Sequence, residues 1–95
     1  MLSLPTELTQ SQASACLLTL QKGLHAETDS SVVIDATALN RFDSAALAVL
    51  LEVRRQTQAL GKHFSVQGLP KRLADLAALY GITDLLPAAV SGAVK

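Results

Sequence analysis

The fold is decided by the stretch Val33-Ile-Asp-Ala-Thr-Ala-Leu-Asn-Arg-Phe-Asp-Ser-Ala-Ala-Leu-Ala-Val-Leu-Leu51. Together with the residue before it, the stretch opens on a continuous β-branched run, Val32-Val33-Ile34. Such a run is typical of a strand that is buried on both faces, as in a parallel sheet. We expect the strand to end at Asp35, and residues 36–43 to form a connection.

The second half of the stretch predicts a helix that runs to about Leu60. Ser44 or Asp43 is expected to cap its start, and Gly61 to stop it. A repeat of 100° per residue assigns these residues to its core face: Ala46, Val49, Leu50, Val53, Thr57 and Leu60.

The first turns of this helix, residues 45–51, are apolar all the way round. Leu47 and Leu51 fall on the flank of the core face, and Ala48 falls on the opposite side. A surface helix does not need apolar residues there. Either another element of the fold covers this surface, or a partner does.

The segments before and after the stretch 33–51 each predict a further strand and a further helix. Before it, Leu2–Leu4 alternates like a short strand, and a Thr-x-x-Gln pattern from Thr9 opens a helix that ends near His25. After it, His63–Gln67 alternates like a strand, with Phe64 and Val66 on one face.

A third helix follows, with Pro70 at its first position and Gly81 as its stop. Its buried face is predicted to carry Leu73, Leu76, Ala77 and Tyr80. Residues 87–95 are expected to be a frayed tail. Alternating strands and helices predict one α/β domain over residues 1–95, with a mostly parallel sheet and a core at about 2–86.

Composition excludes several classes of partner. The chain has 95 residues, with eight basic and eight acidic ones, and no basic stripe interleaved with aromatics, so nucleic acid is not expected. No run reaches the ~18 apolar residues that a membrane span needs. A cytoplasmic protein is predicted, and Cys16 falls in an apolar helical pattern as a small core residue.

The sequence shows no recognisable arrangement of catalytic residues. Asp35 follows a buried strand, where α/β folds place their sites, but the acidic pair and lysine of a phosphoacceptor site are missing. A structural carboxylate is the favoured interpretation of Asp35, with a phosphoryl-accepting receiver as the enzymatic alternative. His25 and His63 are too few to hold a metal. No catalytic residue, metal or cofactor is predicted.

The central stretch resembles STAS domains, the family of sulfate transporters and anti-sigma factor antagonists. The family pattern is a hydrophobic strand, an Asp, a loop, and then Asp-Ser/Thr-small-small-Leu. Asp43-Ser44-Ala45-Ala46-Leu47 matches it, with Ala where the family usually has Gly. Gln67-Gly68-Leu69 and Leu79-Tyr80-Gly81-Ile82 also fit, so that the resemblance runs from about Leu2 to Leu86.

The resemblance is closest to the short bacterial branch that contains the STAS subunit of the Mla phospholipid-transport ABC complex. Leu4–Thr9 aligns with the second strand of a STAS domain. The first family strand is therefore expected to be missing, unless the true start lies upstream. The free sheet edge that results would favour a homodimer.

The resemblance implies a non-catalytic adaptor that binds the ATPase subunit of such a complex, at the cytoplasmic side of the inner membrane and without inserting into it. The alternative is an anti-sigma factor antagonist, in which a partner kinase phosphorylates Ser44. The predicted partner-binding residues are Asp43, Ser44, Leu47, Ala48 and Leu51. A simple N-cap role for Ser44 stays open.

Overall fold

The computed structural model describes residues 1–88 of the chain. The elements in chain order are strands β1 (Leu2–Ser3) and β2 (Glu7–Leu8), helix α1 (Gln10–Ala26), strands β3 (Ser31–Asp35) and β4 (Arg41–Phe42), helix α2 (Ser44–Ala59), strand β5 (His63–Gln67), helix α3 (Lys71–Leu79) and a 3₁₀ turn (Thr83–Leu85). Strands and helices alternate along the chain, which confirms the predicted α/β class.

The main sheet has three parallel strands in the order β1-β3-β5. Leu2 pairs with Ile34, and Ile34 pairs in turn with Val66. On the far side of β5, Val66 also forms a parallel bridge with Ala88. The prediction that Leu2–Leu4 contributes a strand is confirmed, and the mostly parallel sheet is the predicted one.

A second, two-stranded parallel sheet joins β2 to β4, and the sequence did not predict it. Glu7 pairs with Arg41 and Leu8 with Phe42. The carbonyl oxygen of Thr6 starts the pairing, because it accepts the backbone N–H groups of Asn40 at 2.8 Å and of Arg41 at 3.0 Å. The predicted connection over residues 36–43 therefore contains a strand.

The core lies between one face of the main sheet and the three helices. Val32 and Ile34 are fully buried, and Phe64 and Val66 on β5 are buried beside them, as expected. Val33, however, points to the opposite face and is only half-buried. The prediction that this strand is buried on both faces is therefore wrong, because the helices cover one face of the sheet.

The helix boundaries follow local chemistry. The side-chain oxygen of Gln12 accepts the backbone N–H of Thr9 at 2.8 Å, which fixes the start of α1 as predicted. Gly61 and Gly81 have φ angles of 74° and 72°, a left-handed conformation that glycine adopts without steric cost, and they stop α2 and α3. Pro70 precedes the first residue of α3 and occupies the N-cap position.

Two predicted core residues are exposed. Leu60 is 45 % exposed and Tyr80 is 57 % exposed. Both are the C-cap residues of their helices, α2 and α3. A helical repeat places them on the core face, but each is the residue at which its helix ends, so that the repeat no longer fixes the direction of its side chain.

The end of the described chain lies along the sheet. The carbonyl oxygen of Pro87 accepts the backbone N–H of Val66 at 2.8 Å, so that Pro87 and Ala88 continue the sheet beyond β5. The remaining residues of the predicted frayed tail, 89–95, lie outside the described residues.

Candidate functional site

Asp43 organises the start of α2. Its Oδ1 accepts the backbone N–H of Ala45 at 2.8 Å, and its Oδ2 accepts the backbone N–H of Gln10 at 3.1 Å. One carboxylate thus serves the first turns of both α1 and α2, where helix N–H groups lack partners within their helix. Asp43 is therefore the N-cap, and Ser44 is the first residue of the helix instead of its cap.

The predicted partner-binding residues differ in exposure. Asp43, Ser44 and Ala48 are exposed, and Leu51 is half-buried. Ser44 and Ala48 lie one turn apart and so share one face of α2. We call the group Asp43, Ser44, Ala48 and Leu51 the α2 surface.

Leu47, in contrast, is 3 % exposed and belongs to the hydrophobic core. Its side chain cannot line a docking surface in this structure, which corrects the prediction. The reason is that α2 contacts α1, β5 and α3, so that a wide arc of its surface is covered. Coverage by the fold itself thus explains most of the apolar character at the start of α2.

A shallow apolar depression of about 160 Å³ borders the α2 surface, between α1 and α2. It is lined by Ala13, Ser14, Leu17, Ala48 and Val49. The small side chains at its rim leave room for a larger side chain of a bound protein. The α2 surface therefore continues onto α1.

Arg72 on α3 contacts the residue that precedes Asp43. Its guanidinium carbon is 5.5 Å from the centroid of the Phe42 ring, within the range of a cation–π contact. Phe42 directly precedes the Asp43 cap, and Arg72 is in the first turn of α3. The contact thus places a cation of α3 against the residue that precedes the cap of α2.

Asp35 acts as a structural group at the end of β3. Its Oδ1 accepts the backbone N–H of Thr37 at 3.0 Å and the Thr37 hydroxyl at 2.7 Å. The hydroxyl bond, followed by the backbone bond, lowers the pKa of Asp35 below its usual value. Asp35 is thus a structural carboxylate that accepts a backbone N–H in the following loop, as the favoured interpretation of the sequence predicts.

Cys16 is half-buried on α1 and packs against the core. Burial raises the pKa of its thiol, which disfavours the reactive thiolate. It lines an apolar groove of about 370 Å³ between α1 and the β1–β2 segment, together with Leu4, Pro5 and Leu20.

Residues 1–88 offer neither a metal site nor a membrane-spanning helix. Within this range, no group of three or more His, Cys, Asp and Glu side chains is placed to hold a metal ion. None of the helices found there combines the length and the apolar character that crossing a membrane requires.

The sequence reasoning missed the contributions of Gln10 and Arg72. Nothing in the local pattern links Gln10 to Asp43, because the two are far apart in the chain and a backbone N–H leaves no signature in the sequence. Arg72 did leave one: the Lys71-Arg72 doublet falls at the start of a helix. Such a doublet is, however, more often part of a solvated helix face than of a binding site.

Comparison with known proteins supplies one family. A family model described as "Mlab, STAS domain" matches residues 1–87, nearly the whole chain. A comparison with curated proteins gave no match.

Proposed function

The chain belongs to the Mlab-type STAS domain family, whose members are generally non-catalytic adaptor or regulatory domains, and on this basis we propose a specific partner. The protein docks on the cytoplasmic ATPase subunit of a phospholipid-transport ABC complex. It binds through the α2 surface and stabilises or regulates the ATPase from there.

The exposed start of α2 carries this proposal. From Ser44 to Leu51 the helix has no charged side chain, and its exposed positions are occupied by Ser44 and Ala48. Small, uncharged side chains let a partner approach the helix closely without burying an unpaired charge. The depression beside Ala48 adds apolar surface that a partner would remove from water.

The protein contributes a preformed docking surface. Asp43 holds the first turns of α1 and α2 together, so that the docking surface is already formed before the partner binds. A preformed surface loses less conformational entropy on binding. An adaptor of this kind changes the ATPase only by binding one of its conformations more tightly than another.

The experiment is a titration of the purified protein against the ATPase subunit encoded in the same genome. Ala48→Glu should abolish or strongly weaken binding, because it places a carboxylate in the centre of the surface. Ala59→Glu is the matched control, since Ala59 is exposed at the other end of the same helix. Parent protein that does not bind the ATPase, or equal binding by both variants, would overturn the proposal.

The position of Ser44 favours a second function, that of an anti-sigma factor antagonist. Its side chain is exposed at the first position of α2, where a kinase could reach it and where the helix dipole tolerates a phosphate. Incubation with a kinase-type anti-sigma factor and ATP distinguishes the two functions. Phosphate on Ser44 and release of that partner support the second function, and no complex with the anti-sigma factor contradicts it.

A further inference from the structure

Arg72 carries a positive charge at a position where it does not stabilise its own helix. It lies with Lys71 in the first turn of α3, and this turn contains no acidic residue. The N-terminus of a helix carries a partial positive charge, so that cations in the first turn are unfavourable. The fold therefore gains nothing from the charge of Arg72 through the helix dipole.

Its charge is also unmatched within residues 1–88. Lys71 pairs with Asp75 at 3.0 Å, Arg55 with Glu52, and Arg41 with Glu7 at 4.0 Å. None of the ion pairs in this part of the chain includes Arg72.

The guanidinium nevertheless contacts an aromatic ring. It lies 5.5 Å from the centroid of the half-buried Phe42 ring, and a planar guanidinium stacks well on an aromatic face. A cation held in this way loses less freedom when it binds an acceptor than a freely moving one would.

Phe42, whose ring this cation contacts, directly precedes Asp43 and so adjoins the α2 surface in the chain. Ser44 is two residues further along the chain, so that its Cα lies within about 7 Å of that of Phe42. Arginine is enriched at protein interfaces, where it forms forked hydrogen bonds with carboxylates.

We propose that Arg72 is the element of the docking surface that selects the partner, by binding a carboxylate of the partner protein. The partner thus carries an acidic side chain next to the apolar patch that covers Ala48. This inference rests on the proposed function, because it assumes docking at the α2 surface.

The test is a titration of Arg72→Glu, Arg72→Lys and the parent against the ATPase subunit, at about 50 mM and about 300 mM NaCl. Arg72→Glu should weaken binding at least about tenfold at the lower salt concentration, and the dependence on salt should decrease. Arg72→Lys keeps the charge but loses the planar guanidinium with its forked hydrogen bonds. Its affinity should lie between that of the parent and that of Arg72→Glu. Lys22→Glu, an exposed residue near the far end of α1, changes the net charge equally and should alter the affinity less than twofold.

The outcomes separate this inference from the proposed function. If Ala48→Glu prevents binding while Arg72→Glu binds like the parent, the docking site stands and the role of Arg72 is refuted. Equal weakening by Lys22→Glu would also refute it, because the effect would then come from net charge. Parent protein that fails to bind the ATPase overturns both. Circular dichroism and thermal unfolding confirm that each variant is folded.

Discussion

The carboxylate of Asp43 binds the backbone N–H of Gln10, 3.1 Å away, and so connects the starts of two helices that are distant in the chain. The other oxygen of the same carboxylate caps α2 through Ala45. The Asp of the Asp-Ser motif is therefore a structural group that connects the start of the α2 surface to α1.

Asp43→Ala should lower the free energy of unfolding by about 1–2 kcal/mol, since both helix starts lose an acceptor. Asp43→Asn keeps one acceptor oxygen and should lose about half as much. Ser44→Ala should stay within about 0.5 kcal/mol of the parent, because Ser44 is not the cap. Urea unfolding of the three variants measures this, and a loss for Ser44→Ala equal to that for Asp43→Ala would contradict the assignment of the cap.

Ser44→Glu should keep the fold but weaken partner binding. A carboxylate in the first turn of a helix is compatible with the dipole. At the interface it would be buried without a partner, which costs roughly 2–5 kcal/mol, or about 30- to several-thousand-fold in affinity. Titration against the ATPase subunit measures the change, with Ser44→Ala as the control. Unchanged affinity of the folded Ser44→Glu variant would place the docking site elsewhere.

The fold was predictable wherever a local pattern decides the structure. Thr9 and Gln12 marked the start of α1, and glycines marked the ends of α2 and α3. The β2–β4 pair left no such pattern. It has two residues in each strand, and backbone bonds to Thr6 hold its start.

The exposure of the candidate site residues was predictable in part, because it depends on what the rest of the fold covers. The sequence identified Ser44 and Ala48 as candidates, and both are exposed. It could not separate Leu47 from them, since the neighbours that bury Leu47 come from other parts of the chain. The position of Arg72 beside Phe42 likewise depends on tertiary structure.

Gly68 is a position where any side chain should be harmful. Its φ is +68°, and a Cβ there would lie 2.0 Å from Thr37 Cγ2 and 3.3 Å from Thr37 Cα. Gly68→Ala should therefore lower the free energy of unfolding by about 2–4 kcal/mol, as backbone strain and a steric clash add together.

Gly61→Ala is the matched control for this variant. Gly61 has a similar φ of +74°, but a Cβ there meets nothing within 4 Å, so only the strain of about 1–2 kcal/mol should appear. Thr37→Ser removes Cγ2 and should restore part of the stability of Gly68→Ala. Chemical denaturation of the variants checks both points, and equal losses at Gly68 and Gly61 would show that the contact with Thr37 is unimportant.

Glu52 should make stability depend on pH in the acid range. Hydrogen bonds from Arg55 and then from Gln56 lower the pKa of Glu52 from 4.5 to about 2. A carboxylate whose pKa is lowered by folding stabilises the protein above its unfolded pKa, and this contribution is lost as the pH falls towards the folded pKa. Glu52→Gln should thus lower the melting temperature at pH 7, and the difference from the parent should shrink between about pH 4.5 and pH 2.

Thermal unfolding of the two proteins across this range measures the effect. Because the pair lies on the surface, added salt should reduce the difference at pH 7. A difference that stays constant down to pH 2 would show that Glu52 acts through packing instead of its charge.

The arrangement of strands also sets how the chain must fold. Leu2 pairs with Ile34 and Ile34 with Val66, so both pairings among β1, β3 and β5 join residues roughly 30 positions apart. Each such pairing requires a long loop to close before its contacts form. The entropic cost of closing the loop slows folding. During synthesis, the apolar side chains of Val32 and Ile34 emerge well before β5 does. The edge of β3 that pairs with β5 therefore stays unpaired until the last strand leaves the ribosome.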